Sequence, residues 1–336
     1  MLIASLSVFL LTLGFIWLIK NNASYLGLLD IPNQRSVHTS STPRGAGIGF
    51  YIAIAIVSPF FYIETLTAYF WTLLAIFFIF LVGIFDDRHT TQPKTKFFVI
   101  ILSTVLISFD GIQINELGLF FGMNLSLGWL ALPFTIFAVA GFTNALNLID
   151  GLDGLAATVS LVILSTFFLV GYMHDDMFMM VLSSIFMASL FAFLIYNWHP
   201  ASIFMGDSGS LTLGFVISIL AIKSLAYLPT VSILFVAAIP IIDTLIVMIR
   251  RKRAGRSAFS ADSCHIHHIL KDFFAKDTVR TVYALGTFQL IYSLTGLQLD
   301  KCMDEGFLLI LFILNVVLLY IFLQAMIKRQ KRECNS

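Results

Sequence analysis

The chain has 336 residues, 59% of them hydrophobic and only 12% charged, with a net charge of +1 and a mean hydropathy of +0.93. A soluble domain carries about 25% charged residues, so this composition excludes an ordinary globular fold and reads as a polytopic membrane protein. No basic patch with interleaved aromatic residues points to nucleic acid, and Cys264, Cys302 and Cys334 stand in no metal-type spacing.

Hydropathy predicts about eleven spans, at residues 2–19, 46–63, 66–85, 97–114, 128–146, 154–172, 177–196, 210–226, 229–249, 281–298 and 307–327. Backbone polar groups in lipid must bond internally, so each span is expected to be a helix. The first stretch lacks a basic leader and a small-residue cleavage site, and its first cation, Lys20, follows the apolar run. It therefore reads as a retained span, not a signal peptide. Polar residues begin at Asp110 inside the fourth span, and 117–127 alternates weakly around Gly118 and Gly122, as a short hairpin or re-entrant piece would. Pro240 predicts a kink in the ninth span.

Cation placement sets the orientation. With the N-terminus outside, every one of the 20 Lys and Arg residues except Lys223 and Lys301 falls in a cytoplasmic gap or at the cytoplasmic C-terminus. The chain reads as one integral membrane domain, 1–336, in which cytoplasmic loops 20–45, 86–96, 147–153, 197–209 and 250–280 build a common site.

Acids, amides and histidines gather in those loops. Asp86-Asp87 closes the third span, where adjacent carboxylates meet the negative end of the helix dipole. The pair suits a general base or a cation site, or a solvated end neutralised by Arg88, Lys94 and Lys96. Asn144, Asn147, Asp150 and Asp153 recur every three residues, which on a helical turn places them on one stripe beside Gly151 and Gly154. Asp150 as a plain N-cap of the next span is the simpler alternative.

A third cluster runs from Asn197 and His199 to Gly206-Asp207-Ser208-Gly209, just before the eighth span. Free amides at a helix start beside glycines would cradle a phosphate, and Asp207 could hold a divalent cation; capping by Asp207 or Ser208 is the alternative. His265, His267 and His268 follow the basic run Arg250 to Arg256. Without a cysteine or acid at a ligand interval, they fit a diphosphate better than structural zinc. Arg35, His38, Arg44, Gly45 and Gly47 give the first loop a glycine-rich, basic character. Asp243, within the ninth span, carries an insertion cost of about 3 kcal/mol. It is therefore expected to be paired or functional, placed to line the floor of the cavity.

In this order, Asp86-Asp87, the Asn-x-x-Asn-x-x-Asp-Gly-x-Asp-Gly-Leu string from Asn144, Phe204 to Ser210, and His265-x-His267-His268 resemble the polyprenyl-phosphate N-acetylhexosamine-1-phosphate transferases. The motifs cover about residues 35 to 280. The resemblance implies an all-α fold of ten or eleven membrane helices in the bacterial plasma membrane, with a cytoplasmic active site. It implies Mg²⁺ or Mn²⁺, a UDP-N-acetylhexosamine donor, a polyprenyl (undecaprenyl) phosphate acceptor and release of UMP. Asp207 matches the metal ligand, and Asp86 and Asp87 match an acidic pair that acts as base or binds the acceptor. Asn147, Asp150 and Asp153 match the nucleotide side, Asn197 a polar wall of the site, and His265, His267 and His268 the sugar or diphosphate loop, with Arg44 beside them.

The sequence departs from parts of that pattern. Thr90 stands where a third acid or amide often follows the pair, Ser41 replaces the lysine found before Thr-Pro in the peptidoglycan branch, and Ile269-Leu270 replace that branch's acid after the histidines. With Pro43-Arg44-Gly45-Ala46-Gly47, these features favour the branch that starts surface polysaccharides such as O-antigen. Which N-acetylhexosamine is used is not legible, and a homodimer is one arrangement the chain permits.

Overall fold

The computed structural model describes residues 1–30, 41–89, 91–253, 255, 257, 265–299 and 302–333. Arg35, His38, Thr90, Arg256 and Cys264 lie outside the described residues. The protein is an all-α polytopic membrane protein. Its helices are α1 (Leu2–Leu26), α2 (Ala46–Ala68), α3 (Phe70–His89), α4 (Pro93–Phe109), α5 (Ala131–Ile149), α6 (Leu155–Met173), α7 (Met177–Asn197), α8 (Asp207–Ser224), α9 (Ser232–Val236), α10 (Ala238–Arg253), α11 (Ile266–Phe273), α12 (Thr278–Gln298) and α13 (Glu305–Glu333). Two strand pairs complete the described residues: β1 (Leu29–Asp30) with β2 (Thr42–Pro43), and β3 (Glu116–Phe120) with β4 (Met123–Ser126), both antiparallel.

Eight of the described helical segments are long and apolar enough to cross a membrane. Three expected spans differ. The fourth stops at Phe109 because Asp110 turns back to accept from Thr72 N (2.6 Å) and Thr72 Oγ1 (2.7 Å), capping α3. The ninth is split at Ala237, so Pro240 sits in the first turn of α10, where its missing N–H costs nothing, rather than at a kink. The tenth forms α12 but falls outside those eight segments. The boundary between the second and third spans is also later than expected, at Tyr69, with α2 already bent at Tyr62.

α8 is the axis of the bundle: 83% of its apolar window is buried, against 28% for α1 and for α13, which form the lipid-facing rim. Apolar association adds little inside lipid, so close approach of small residues holds such helices together. A Cβ on Gly47 of α2 would stand 2.1 Å from Gly209 N, and one on Gly83 of α3 would stand 2.5 Å from Ser208 Cα. Both glycines let neighbouring backbones press against the start of α8. That point is where the site forms.

Candidate active site

The segment between α7 and α8 is stitched to its surroundings by backbone bonds. Phe204 N donates to Pro43 O (2.8 Å), while Ala46 N and Gly47 N at the start of α2 donate to Phe204 O (3.2 Å) and Met205 O (3.0 Å). These bonds place Arg44 at the cavity wall. Asn197, 4% exposed, fixes the other side: its Oδ1 accepts from Gly154 N (2.8 Å) and its Nδ2 donates to Ile203 O (2.9 Å). Asn197 thus ties the start of α6 to the loop.

Asp87, 2% exposed, reaches from the end of α3 to the start of α8. Its Oδ1 accepts from Asp207 N (2.7 Å) and its Oδ2 from Ser208 N (3.1 Å). Gly206 is needed beside it, with φ at +75°, and a Cβ there would stand 2.6 Å from both Asp87 oxygens. The expectation of free amides cradling a phosphate is therefore corrected, because a carboxylate already holds them. Asp86 turns the other way. Its Oδ1 accepts from Thr91 N and Thr91 Oγ1 (both 2.7 Å), and its Oδ2 lies 2.8 Å from Lys96 Nζ. Lys96 also donates to Asp207 Oδ2, so one ammonium bridges Asp86 and Asp207. Asn147 Nδ2 completes this shell by donating to Asp207 Oδ1 (3.1 Å) and Ser210 Oγ (2.8 Å).

The stripe expected from Asn144 to Asp153 does not continue as helix. α5 ends at Ile149, Asp150 is its C-cap, Asp153 lies in the following turn, and Gly154 rather than Asp150 is the N-cap of α6. Asn147, Asp150 and Asp153 nonetheless line one cavity. Asp153 Oδ2 accepts from His199 Nδ1 (2.7 Å) and Ala201 N (3.1 Å). Asp150 meets solvent only in part; burial pushes its carboxyl up to about 7, helped by repulsion from Asp207, Asp87 and Asp153.

The three histidines separate. His268 lines the cavity, whereas His265 bonds Asp243. His267, 2% exposed, packs its ring on Gly151, and burial pulls its imidazole down to about 3, so it is neutral. Asp243 is 1% exposed and does not form the cavity floor as expected; it is turned to the start of α11.

The cavity has a volume of about 610 Å³. Of the residues expected from sequence, its lining includes Arg44, Asp87, Asn147, Asp150, Asp153, Asn197, Asp207 and His268. Asp86, His265 and His267 stand behind that wall. Sequence reasoning did not single out Asp30, Lys271 and Thr278 in the lining, nor the bridging part of Lys96. Lys271 was detectable: it follows His268 by three residues, hence on the same helical face.

The donor set fits a divalent cation. Five carboxylates, Asp30, Asp87, Asp150, Asp153 and Asp207, line one cavity, and repulsion from Asp207, Asp87 and Asp153 adds to burial in raising Asp150. A cation of the protein's own, Lys96, already sits against Asp207. Among the described residues no three His, Cys, Asp or Glu side chains gather as a metal cage. Mg²⁺ needs none, since it keeps several waters and takes one or two carboxylates together with substrate phosphates.

Comparison with known proteins shows the family of the chain. The sequence profile described as "Glycosyl transferase family 4" matches residues 69–225, from the start of α3 to the end of α8. The chain is 35% identical over 309 residues to a "Probable undecaprenyl-phosphate N-acetylglucosaminyl 1-phosphate transferase" of Bacillus subtilis (strain 168), covering 89% of this chain and 85% of that one. It is 31% identical over 288 residues to a "Decaprenyl-phosphate N-acetylglucosaminephosphotransferase" of Mycobacterium tuberculosis, covering 74% and 70%. It is 30% identical over 274 residues to an "Undecaprenyl-phosphate alpha-N-acetylglucosaminyl 1-phosphate transferase" of Yersinia pestis, covering 78% and 74%. The chain belongs to the polyprenyl-phosphate N-acetylhexosamine-1-phosphate transferase family.

Proposed function

We propose that the protein transfers N-acetylglucosamine 1-phosphate from UDP-N-acetylglucosamine to undecaprenyl phosphate, releasing UMP, as the first membrane step of a cell-surface polysaccharide such as O-antigen. The observation that carries this reading is the meeting of Asp207 and Asn147, with Lys96 bonded to Asp207, at a cavity lined by four further carboxylates, Asp30, Asp87, Asp150 and Asp153. The choice of sugar and lipid follows the names of the relatives; O-antigen follows the Pro43-Arg44-Gly45-Ala46-Gly47 pattern. The skew of lysines and arginines supports a cavity on the cytoplasmic side of the plasma membrane.

In the reaction, an oxygen of the lipid phosphate bonds to the β-phosphorus of the donor. The bond from that phosphorus to the bridging oxygen breaks, and UMP departs with the electron pair. A phosphate monoester has its second pKa near 6, so the acceptor is largely dianionic at neutral pH and no proton has to be removed. The obstacle is anion meeting anion, about 4 kcal/mol per unit charge pair at 4 Å and an effective dielectric of about 20. Arg44 and Lys271 face the cavity from other elements and offset part of that repulsion. Burial keeps His268 below the usual imidazole range, so that it faces the phosphates as a neutral ring able to donate a hydrogen bond. Lys96 holds Asp207 and Asp86 in register, and Asp87 fixes the backbone from which Asp207 projects. Asp207, with Asp150 nearby, would hold Mg²⁺ or Mn²⁺; the bound ion would neutralise the diphosphate and the charge developing on UMP.

Purified protein given Mg²⁺, undecaprenyl phosphate and a panel of UDP-N-acetylhexosamines tests this. UMP release is expected with UDP-N-acetylglucosamine in preference to UDP-N-acetylgalactosamine, and its loss in Asp207→Asn while the protein stays folded. No UMP from any donor, or full turnover in Asp207→Asn, would refute it.

A further inference from the structure

The reaction above leaves a buried acid of α10 unused. Asp243, 1% exposed, projects from the middle of α10 and touches nothing in the cavity. Its Oδ2 accepts from His265 Nδ1 (2.7 Å) and its Oδ1 from Ile266 N (2.6 Å), so a single carboxylate holds the N-cap residue and the first amide of α11. A carboxylate at this depth is tolerated when fully bonded, yet such bonds add little stability over an apolar filling of the same shape. What they add is position.

α11 carries that position to the cavity. His267 lies on its buried face, with Nε2 2.9 Å from where a Gly151 Cβ would stand. Gly151 belongs to the acidic turn between Asp150 and Asp153. His268 and Lys271, one turn apart, look into the cavity. The place of one cavity cation, Lys271, and one cavity imidazole, His268, is thus set by how the first turn of α11 is anchored, and the anchor is in α10.

We propose that Asp243 is a positioning residue for the transfer, acting through His265 and the Ile266 amide to hold α11 where His268 and Lys271 meet the donor diphosphate. The part played by the diphosphate rests on the proposed function; the anchoring of α11 does not.

The test uses full-length protein in detergent or nanodiscs, with Asp243→Asn, His265→Gln and the double variant, each read by hydrogen exchange over 266–273 and by steady-state kinetics with UDP-N-acetylglucosamine. Losing one hydrogen bond to a charged group corresponds to about a tenfold change in an equilibrium constant. In each single variant, exchange over 266–273 is expected to quicken about tenfold while α12 keeps its protection, and KM for the donor to rise about tenfold with kcat nearly unchanged. The double variant is expected to be no worse than Asp243→Asn alone, because His265 acts through Asp243. Unchanged exchange and KM in both single variants, effects that multiply in the double variant, or a lower yield of folded protein with KM unmoved would each overturn the proposal. Exchange needs no turnover, so a wild-type protein that releases no UMP would count against the reaction and leave the anchor to be decided by exchange alone.

Discussion

The two ends of the bundle use the same residue types differently. At the end opposite the site, three carboxylates each have their own task. Asp110 caps α3 through Thr72, Asp176 caps α7 through Met179 N (3.0 Å), and Glu305 accepts from Thr230 N (2.6 Å) and Val231 N (2.8 Å) ahead of α9. Lys223 and Tyr227 close on Asp176, and Lys223 also donates to Tyr69. A cavity lies there too, about 600 Å³, nearly the size of the other. Volume does not separate the two ends; the arrangement of charge does. At the site end Asp87, Asp243 and Asp277 are used as caps, of α8, α11 and α12. Asp150, Asp153 and Asp207 turn to a shared space, where burial, helped by repulsion among the acids, pushes Asp150 up to about 7. An acid that satisfies a helix end stabilises the fold, whereas acids crowded on one cavity are held there for a ligand.

The largest expected contrast is in turnover. Asp207→Asn should lower UMP release on the order of 10²–10³-fold, while Asp176→Ala at the opposite end should leave turnover unchanged and lower stability by about 1 kcal/mol, the worth of an N-cap. Comparable losses of turnover in both would erase the distinction between the ends. Next comes packing at the start of α8. Gly83→Ala forces a Cβ into the Ser208 backbone and should cost about 1–3 kcal/mol, measured by thermal unfolding in detergent; Gly14→Ala, with nothing within 4 Å of its added carbon, should be close to neutral.

The smallest effect concerns pH. His267 stays neutral in the fold down to about 3, whereas an exposed histidine takes its proton near 6.5. Between those values the unfolded chain binds the extra proton, so stability falls as pH drops, by up to about 1.4 kcal/mol per pH unit. His267→Gln should flatten that part of the stability curve between pH 6.5 and 5; an unchanged slope would show that the ring is not sealed against Gly151.

Much of this architecture was legible because its causes are local. Apolar runs mark the helices, and the hairpin at 116–126 follows from alternation and Gly122. Asp207 stood out because an acid beside two glycines at a span boundary is rare in so apolar a chain. What was hidden depends on contacts between distant residues. Asp87 caps a helix that begins 120 positions later, and nothing near Asp87 announces it. Lys96 looked like one of many topology cations, because its bridge to Asp207 spans 111 positions. The early end of α4 and the split between α9 and α10 arise from caps and packing that hydropathy does not weigh. The histidines read as one group, yet on a short helix His267 and His268 point in different directions, and His265 lies before the helix begins.

The most direct measurement is the environment of Mn²⁺ added to the protein with UDP-N-acetylglucosamine, read by electron–nuclear double resonance for coupling to ³¹P. The wild-type protein should show phosphorus coupling, Asp176→Ala should keep it, and Asp207→Asn should lose it. The same coupling in Asp207→Asn as in the wild type would contradict the claim that Asp207 brings a cation to the donor diphosphate.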